Sequence, residues 1–143
     1  MDFKEIERND VKELTEVFIA AFNSPPWNDS WSFETACKRL EQMMDGEAAF
    51  GIAAYENTEP IGMILGCFEQ YYDGVVFNIR EFCVKKRGGG AGSIIFEEFE
   101  NRLKGLGVKE ITLNTLRGDA TEGFYAKKGM KTDSGMAVMT KRL

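Results

Sequence analysis

The sequence has no histidine, which removes Ser-His and Cys-His nucleophilic pairs and His-ligated zinc from consideration. Any acid or base must therefore be Glu, Asp, Tyr, Cys, Lys or water. Only three cysteines occur. Cys37, Cys67 and Cys83 are far apart and include no C-x-x-C pair, so neither a disulfide framework nor a metal site is expected, and they read as reduced packing thiols. No apolar run approaches the roughly 20 residues of a membrane span. Met1-Asp2-Phe3-Lys4-Glu5 lacks the apolar stretch of a signal peptide, so a cytoplasmic protein with no membrane partner is expected. There is no extended basic helix, RNA-binding aromatic strand motif or zinc pattern, and the formal charge is −5, which argues against a nucleic-acid partner.

A length of 143 residues with 43% hydrophobic content fits one domain over residues 1–143 with a single core. Charge is unevenly spread. Residues 1–84 carry 16 acidic against 6 basic side chains, and residues 85–143 carry 7 against 12. That asymmetry suits an anionic ligand in the C-terminal half and a cationic one met by the N-terminal half, unless it is only solvated surface charge.

Asp2 to Glu7 reads as a short strand, followed by a helix that Asn9 or Asp10 caps, with Val11, Leu14, Val17, Phe18 and Ala21 as its apolar stripe. Asn23 to Trp31 is a loop of turn formers that holds both tryptophans. Ser32 then caps a second helix with Phe33, Cys37, Leu40 and Met44 at helical spacing. Ala48 to Tyr55, Ile61 to Phe68 and Val75 to Val84 are three successive strands with short turns, so they pair antiparallel. In the last of these, alternation puts Phe77, Ile79, Glu81 and Cys83 on one face, and thus a carboxylate among apolar residues. Burial would raise the pKa of Glu81 toward that of a useful general base. The alternative is that Glu81 is paired with a cation or lies at a wet edge.

The strand ends in Lys85-Lys86-Arg87-Gly88-Gly89-Gly90-Ala91-Gly92-Ser93, after which Ile95, Phe99, Leu103 and Leu106 recur as a helix. Glycines at a helix N-terminus leave unpaired N–H groups and the positive dipole end open to an anion. The dinucleotide pattern needs glycine where Ser93 stands, and the triphosphatase pattern needs Gly-Lys-Ser/Thr. What fits is R-x-x-G-x-G, as Arg87, Gly90 and Gly92. Downstream, after a strand over Val108–Thr115, comes Phe124-Tyr125-Ala126-Lys127-Lys128-Gly129-Met130. Together these resemble the coenzyme A loop and the F/L-Y-x-K-x-G-F/M segment of the GNAT superfamily of acyl-CoA-dependent N-acetyltransferases.

The resemblance implies an α/β fold. Its sheet would be mixed and mostly antiparallel, of six to seven strands with one splayed parallel pair, flanked by about four helices; the residues themselves read Met130 to Lys141 as a final pair of strands around Asp133-Ser134-Gly135. It also implies acetyl-CoA as co-substrate, no metal, and direct transfer to a primary amine of a small cationic acceptor of aminoglycoside or polyamine type. Peptide N-termini or lysines, and a non-catalytic acyl-CoA sensor, are the alternatives. By the same resemblance Phe82, Cys83 and Val84 pair with pantetheine, and Arg87, Gly88, Gly89, Gly90, Ala91, Gly92 and Ser93 hold the diphosphate. Tyr125 serves the leaving thiolate, and Glu81 or water beside it is the base. Many members carry asparagine seven residues before the tyrosine, where Gly118 stands here, so Asn114 and Asp119 are the nearest candidates to contact the cofactor, Asn114 first. Trp27, Asp29 and Trp31, joined by Tyr72 and Asp73, are the acceptor candidates; a cation would suit two indoles and a carboxylate, although the tryptophans could instead anchor their loop to the core. The final strands offer an edge at which a homodimer could form.

Overall fold

Two hairpins set the sheet. Asn57 and Thr58 both adopt positive φ, 48° and 68°, the turn geometry that matches the twist of paired strands. They join β2 (Ala49–Glu56) to β3 (Glu59–Tyr71), and Tyr72-Asp73 joins β3 to β4 (Gly74–Val84). The computed structural model describes residues 1–143, which divide into two units, Met1–Leu113 and Asn114–Leu143. In the first, β1 (Asp2–Glu5) and β5 (Val108–Leu113) complete a sheet of order β1-β2-β3-β4-β5. All neighbours run antiparallel except β4 and β5.

Helices cover both faces. Asp10 ends a 3₁₀ turn and accepts from the Glu7 amide at 2.7 Å; α1 (Val11–Phe22) follows. Ser32 caps α2 (Phe33–Met44) by accepting from the Thr35 amide at 3.1 Å. The apolar faces of α1 and α2 pack with Ala53, Met63, Leu65 and Cys83 of the sheet. On the other face, Phe99 of α3 (Ala91–Gly105) stacks on Phe50 at 5.6 Å and meets Phe77 at 5.2 Å.

The expected row Phe77, Ile79, Glu81, Cys83 is split between these two faces. Phe77 and Ile79 lie opposite Phe68 and Gly66, whereas Glu81 and Cys83 lie opposite Leu65 and Met63, because the register slips by one at Leu65/Gly66. Arg80 is the extra residue of a β-bulge, and an extra residue reverses the side-chain alternation beyond it. Phe77 therefore belongs with α3, and Cys83 with the α1/α2 core. Gly66 permits the bulge: a Cβ there would lie 1.9 Å from the Asn78 carbonyl oxygen.

In the second unit, α4 (Glu122–Ala126) is capped through Gly129 at φ 88°. Gly129 donates to the Ala126 carbonyl and Met130 to that of Tyr125, each at 3.1 Å, a Schellman closure that explains glycine at that place in the motif. Residues 130–143 form no strand, so the sheet has five strands rather than six or seven. The Asp133-Ser134-Gly135 turn does form, with the Gly135 amide donating to Asp133 Oδ1 at 2.8 Å. Its flanks make no ladder, and Met136, Val138 and Met139 are exposed. The flank Met130-Lys131-Thr132 offers one apolar residue, and a lone hairpin with so little to bury is marginal in water. The edge expected of this segment for a second copy is not formed.

Candidate active site

The glycine loop leaves β4 at Val84 and enters α3 at Ala91. Gly88 and Gly90 have φ of 87° and 81°, a region that side chains rarely adopt. A Cβ added at Gly88, Gly89 or Gly90 would meet nothing within 4 Å, so the backbone of the loop is open on that side. The first helical bond runs from the Ile94 amide to the Gly90 carbonyl at 3.3 Å. The amides of Ala91, Gly92 and Ser93 precede it and have no acceptor within the helix. With no acidic residue in the first turn of α3, this end of the helix favours an anion.

The three cations before the glycines are not equivalent. Lys85 is paired with Glu59 on the neighbouring strand. Arg87 reaches the loop between α1 and α2, where its guanidinium lies 5.1 Å from the Trp27 ring centroid and Nη1 donates to the Pro25 carbonyl at 3.3 Å. Beside the loop, β4 runs on beyond the end of β5. Pairing of β4 with β5 ends at Ile79 opposite Leu113, while β4 continues through Arg80 to Val84. Phe82, Cys83 and Val84 therefore stand on a stretch of β4 that β5 does not pair.

Just past the bulge, Glu81 turns toward α2. Arg39 holds its Oε1 with both Nε and Nη2, each at 3.1 Å. The Glu81 side chain is 14% exposed, and burial raises its pKa above the usual glutamate value, against the lowering effect of Arg39 and Arg80 and with a further rise from Asp29. Both sequence alternatives thus meet in one residue, which is desolvated and also paired. Burial, with Glu81 nearby, pushes the Cys83 thiol well above its ordinary range, so Cys83 is protonated and a poor nucleophile.

Both tryptophans anchor their loop. Trp31 meets Phe18 edge-on at 4.9 Å and Trp27 meets Phe22 at 5.0 Å. Asn23 clamps the Trp31 backbone in both directions, and the Trp31 indole donates to Asp29 at 3.1 Å. The first unit therefore brings together Glu81, the Phe82–Ser93 stretch, Trp27, Asp29 and Trp31. Tyr72 and Asp73 are not among them: they form the turn at the opposite end of β4, where Tyr72 is fully exposed and Asp73 pairs with Lys109. In the second unit, Asn114 follows directly on Leu113, and Tyr125 lies on α4 with its ring edge-on to Phe124 at 5.2 Å.

Sequence reasoning missed Arg39 and the bulge. Nothing in the pattern of α2 singles out Arg39. The bulge had a signal, since glycine inside a strand pattern, as at Leu65-Gly66-Cys67, marks a bulge or a close backbone approach.

No curated protein sequence matches the chain. Among solved structures, a GNAT family acetyltransferase from Staphylococcus aureus superposes with a TM-score of 0.74 at 18% identity, covering 99% of this chain and 98% of that one. An aminoglycoside acetyltransferase from an uncultured soil metagenomic sample, solved in complex with sisomicin, gives 0.72 at 14% identity, covering 99% and 95%. A ribosomal-protein-alanine N-acetyltransferase from Brucella melitensis gives 0.70 at 13%, covering 99% and 98%. These likenesses establish the fold. The model of the acetyltransferase (GNAT) family matches residues 11–130, and with the glycine loop and the bulged β4 that outruns β5 already in view, the chain belongs to the GNAT acetyltransferase family.

Proposed function

We propose that the protein is an N-acetyltransferase that moves the acetyl group of acetyl-CoA directly onto a primary amine of a small cationic acceptor, an aminosugar or polyamine. The observation that carries this reading is the glycine loop opening onto α3 next to the part of β4 that runs past β5. The amides of Gly88 to Ser93 would receive the diphosphate, and the β4 backbone at Phe82 to Val84 would pair with the pantetheine amides as a further strand would.

Glu81 is the proposed base. An ammonium acceptor must lose a proton before its nitrogen can attack the thioester carbon, and Glu81, directly or through one water, would take it. Backbone N–H groups of β4 beyond the end of β5 would meet the charge that develops on the thioester oxygen. As the C–S bond breaks, Tyr125 would give its phenolic proton to the departing thiolate. The balance is one amide and one free thiol formed, with one proton released. Asp29, held in place by the Trp31 indole, would draw the cationic acceptor, a reading that the acidic N-terminal half supports.

Calorimetry with CoA, followed by thiol release from acetyl-CoA in the presence of spermidine, sisomicin, an alanine-terminated peptide and a lysine peptide, tests the proposal. Release with spermidine or sisomicin supports it. Release only with the peptides would move the acceptor class, and tight CoA binding with no release on any amine would make the protein an acyl-CoA sensor instead.

A further inference from the structure

We propose that Arg39 is a positioning residue that fixes Glu81 for proton abstraction, gripping one carboxylate oxygen and leaving the other for the acceptor. This rests on the reading of Glu81 as the base. Two guanidinium nitrogens meet the same oxygen, Oε1, at 3.1 Å each. No buried side-chain oxygen in the structure lacks a partner, so Oε2, which Arg39 does not hold, has surface open to solvent.

A general base needs a fixed direction and an available lone pair. A side chain with three rotatable bonds, set next to a bulge, would not keep one direction unaided. The Arg39 fork supplies it, because a planar guanidinium on a helix that is itself packed into the core resists rotation. The Arg39 charge also favours the ionised, base-competent form. Other groups facing Glu81 modulate this: Asp29 from the α1–α2 loop opposes ionisation, and Arg80 from β4 supports it. The Cys83 thiol on the same strand is neutral, and the residue opposite on β3 is the apolar Leu65.

Arg39→Gln and Arg39→Lys in the full-length protein test the inference in two independent arms. The first follows the Glu81 carboxyl by carbon NMR during a pH titration of the protein without ligands, the resonance being assigned by its loss in Glu81→Gln. Its midpoint should move up in Arg39→Gln and stay near wild type in Arg39→Lys; an unmoved midpoint in Arg39→Gln overturns the inference and leaves the proposed base untouched. The second arm measures kcat against pH with acetyl-CoA and spermidine or sisomicin. In Arg39→Gln the low-pH limb should move up with the NMR midpoint, and kcat should fall about 10-fold with the KM for acetyl-CoA unchanged, part of the total worth of a general base. A carboxyl that moves while the limb stays would remove Glu81 as base and the inference with it. Should Arg39→Gln fail to fold, Arg39→Lys decides, since an ammonium keeps the charge and loses the two-nitrogen grip. A lowered kcat at an unmoved limb supports positioning, and an unchanged kcat overturns it.

Discussion

Gly66→Ala would test how the strand places Glu81. The new methyl would lie 1.9 Å from the Asn78 carbonyl oxygen, 2.9 Å from its carbon and 3.0 Å from the Arg80 nitrogen. That is roughly 1.5 Å short of ordinary contact with the oxygen. All three atoms are backbone and belong to the bulge, so no flexible side-chain end can swing away. Overpacking of this kind costs about 3 kcal/mol at the upper end of its range. Alanine also restricts the unfolded chain, which returns about 0.7 kcal/mol. The steric effect wins, with a net loss of about 2 kcal/mol and a drop in Tm of about 6 °C for a chain of this size. Urea unfolding followed by the fluorescence of Trp27 and Trp31, both packed against the core, reads the change directly. Gly105→Ala is the control, because nothing lies within 4 Å of a Cβ at that helical position, and it should be neutral or stabilising by about 0.5 kcal/mol. Gly66→Ala within 0.5 kcal/mol of wild type, a margin that ordinary surface substitutions rarely exceed, would refute the account of the bulge. Equal losses in both variants would refute it too.

Glu81→Gln should lower kcat about 100-fold near neutral pH, the lower range for a lost base, and flatten the low-pH limb. In wild type that limb should lie above the ordinary glutamate range, since burial favours the protonated, inactive form and activity is lost as pH falls through the raised value. Arg87→Gln should weaken CoA binding about 10-fold in calorimetry, as loss of a charge-assisted contact would, and leave pantetheine binding unchanged. Equal effects on both ligands would remove the diphosphate from its role. Tyr125→Phe should reduce turnover about 10-fold while CoA affinity stays within about twofold; an unaltered rate would exclude its hydroxyl from proton transfer.

The glycine loop was legible because its chemistry is local. Adjacent residues supply the positive φ values, the free amides and the helix start, and no distant partner is needed. The Ser32 cap was readable for the same reason, whereas Asp10, one of the two caps expected for α1, stands at its N-cap position without a side-chain bond to the helix. Facing was harder. A period of two is a sound guide only while every residue pairs, and Arg80 adds an unpaired one that only the opposite strand reveals. The Arg39 to Glu81 contact joins residues 42 positions apart, and no periodicity along either segment encodes it. Tyr72 and Asp73 have suitable chemistry for an acceptor, but Asp73 already meets Lys109 beyond the far end of the strand. The final pair of strands expected around Asp133-Ser134-Gly135 is not built, because a turn alone does not supply the packing that a hairpin requires.

Arg87 touches a loop from which 62 sequence positions separate it, through both a carbonyl and an indole. On the proposed assignment of the two loops, a guanidinium shared in this way would make the two substrate sides mechanically dependent. Alterations at Pro25 or Trp27 would then register as changed nucleotide affinity, and alterations in the glycine segment as changed amine selectivity. Sorting side chains into donor and acceptor roles by which Michaelis constant moves would then misfile residues on both sides of that bridge.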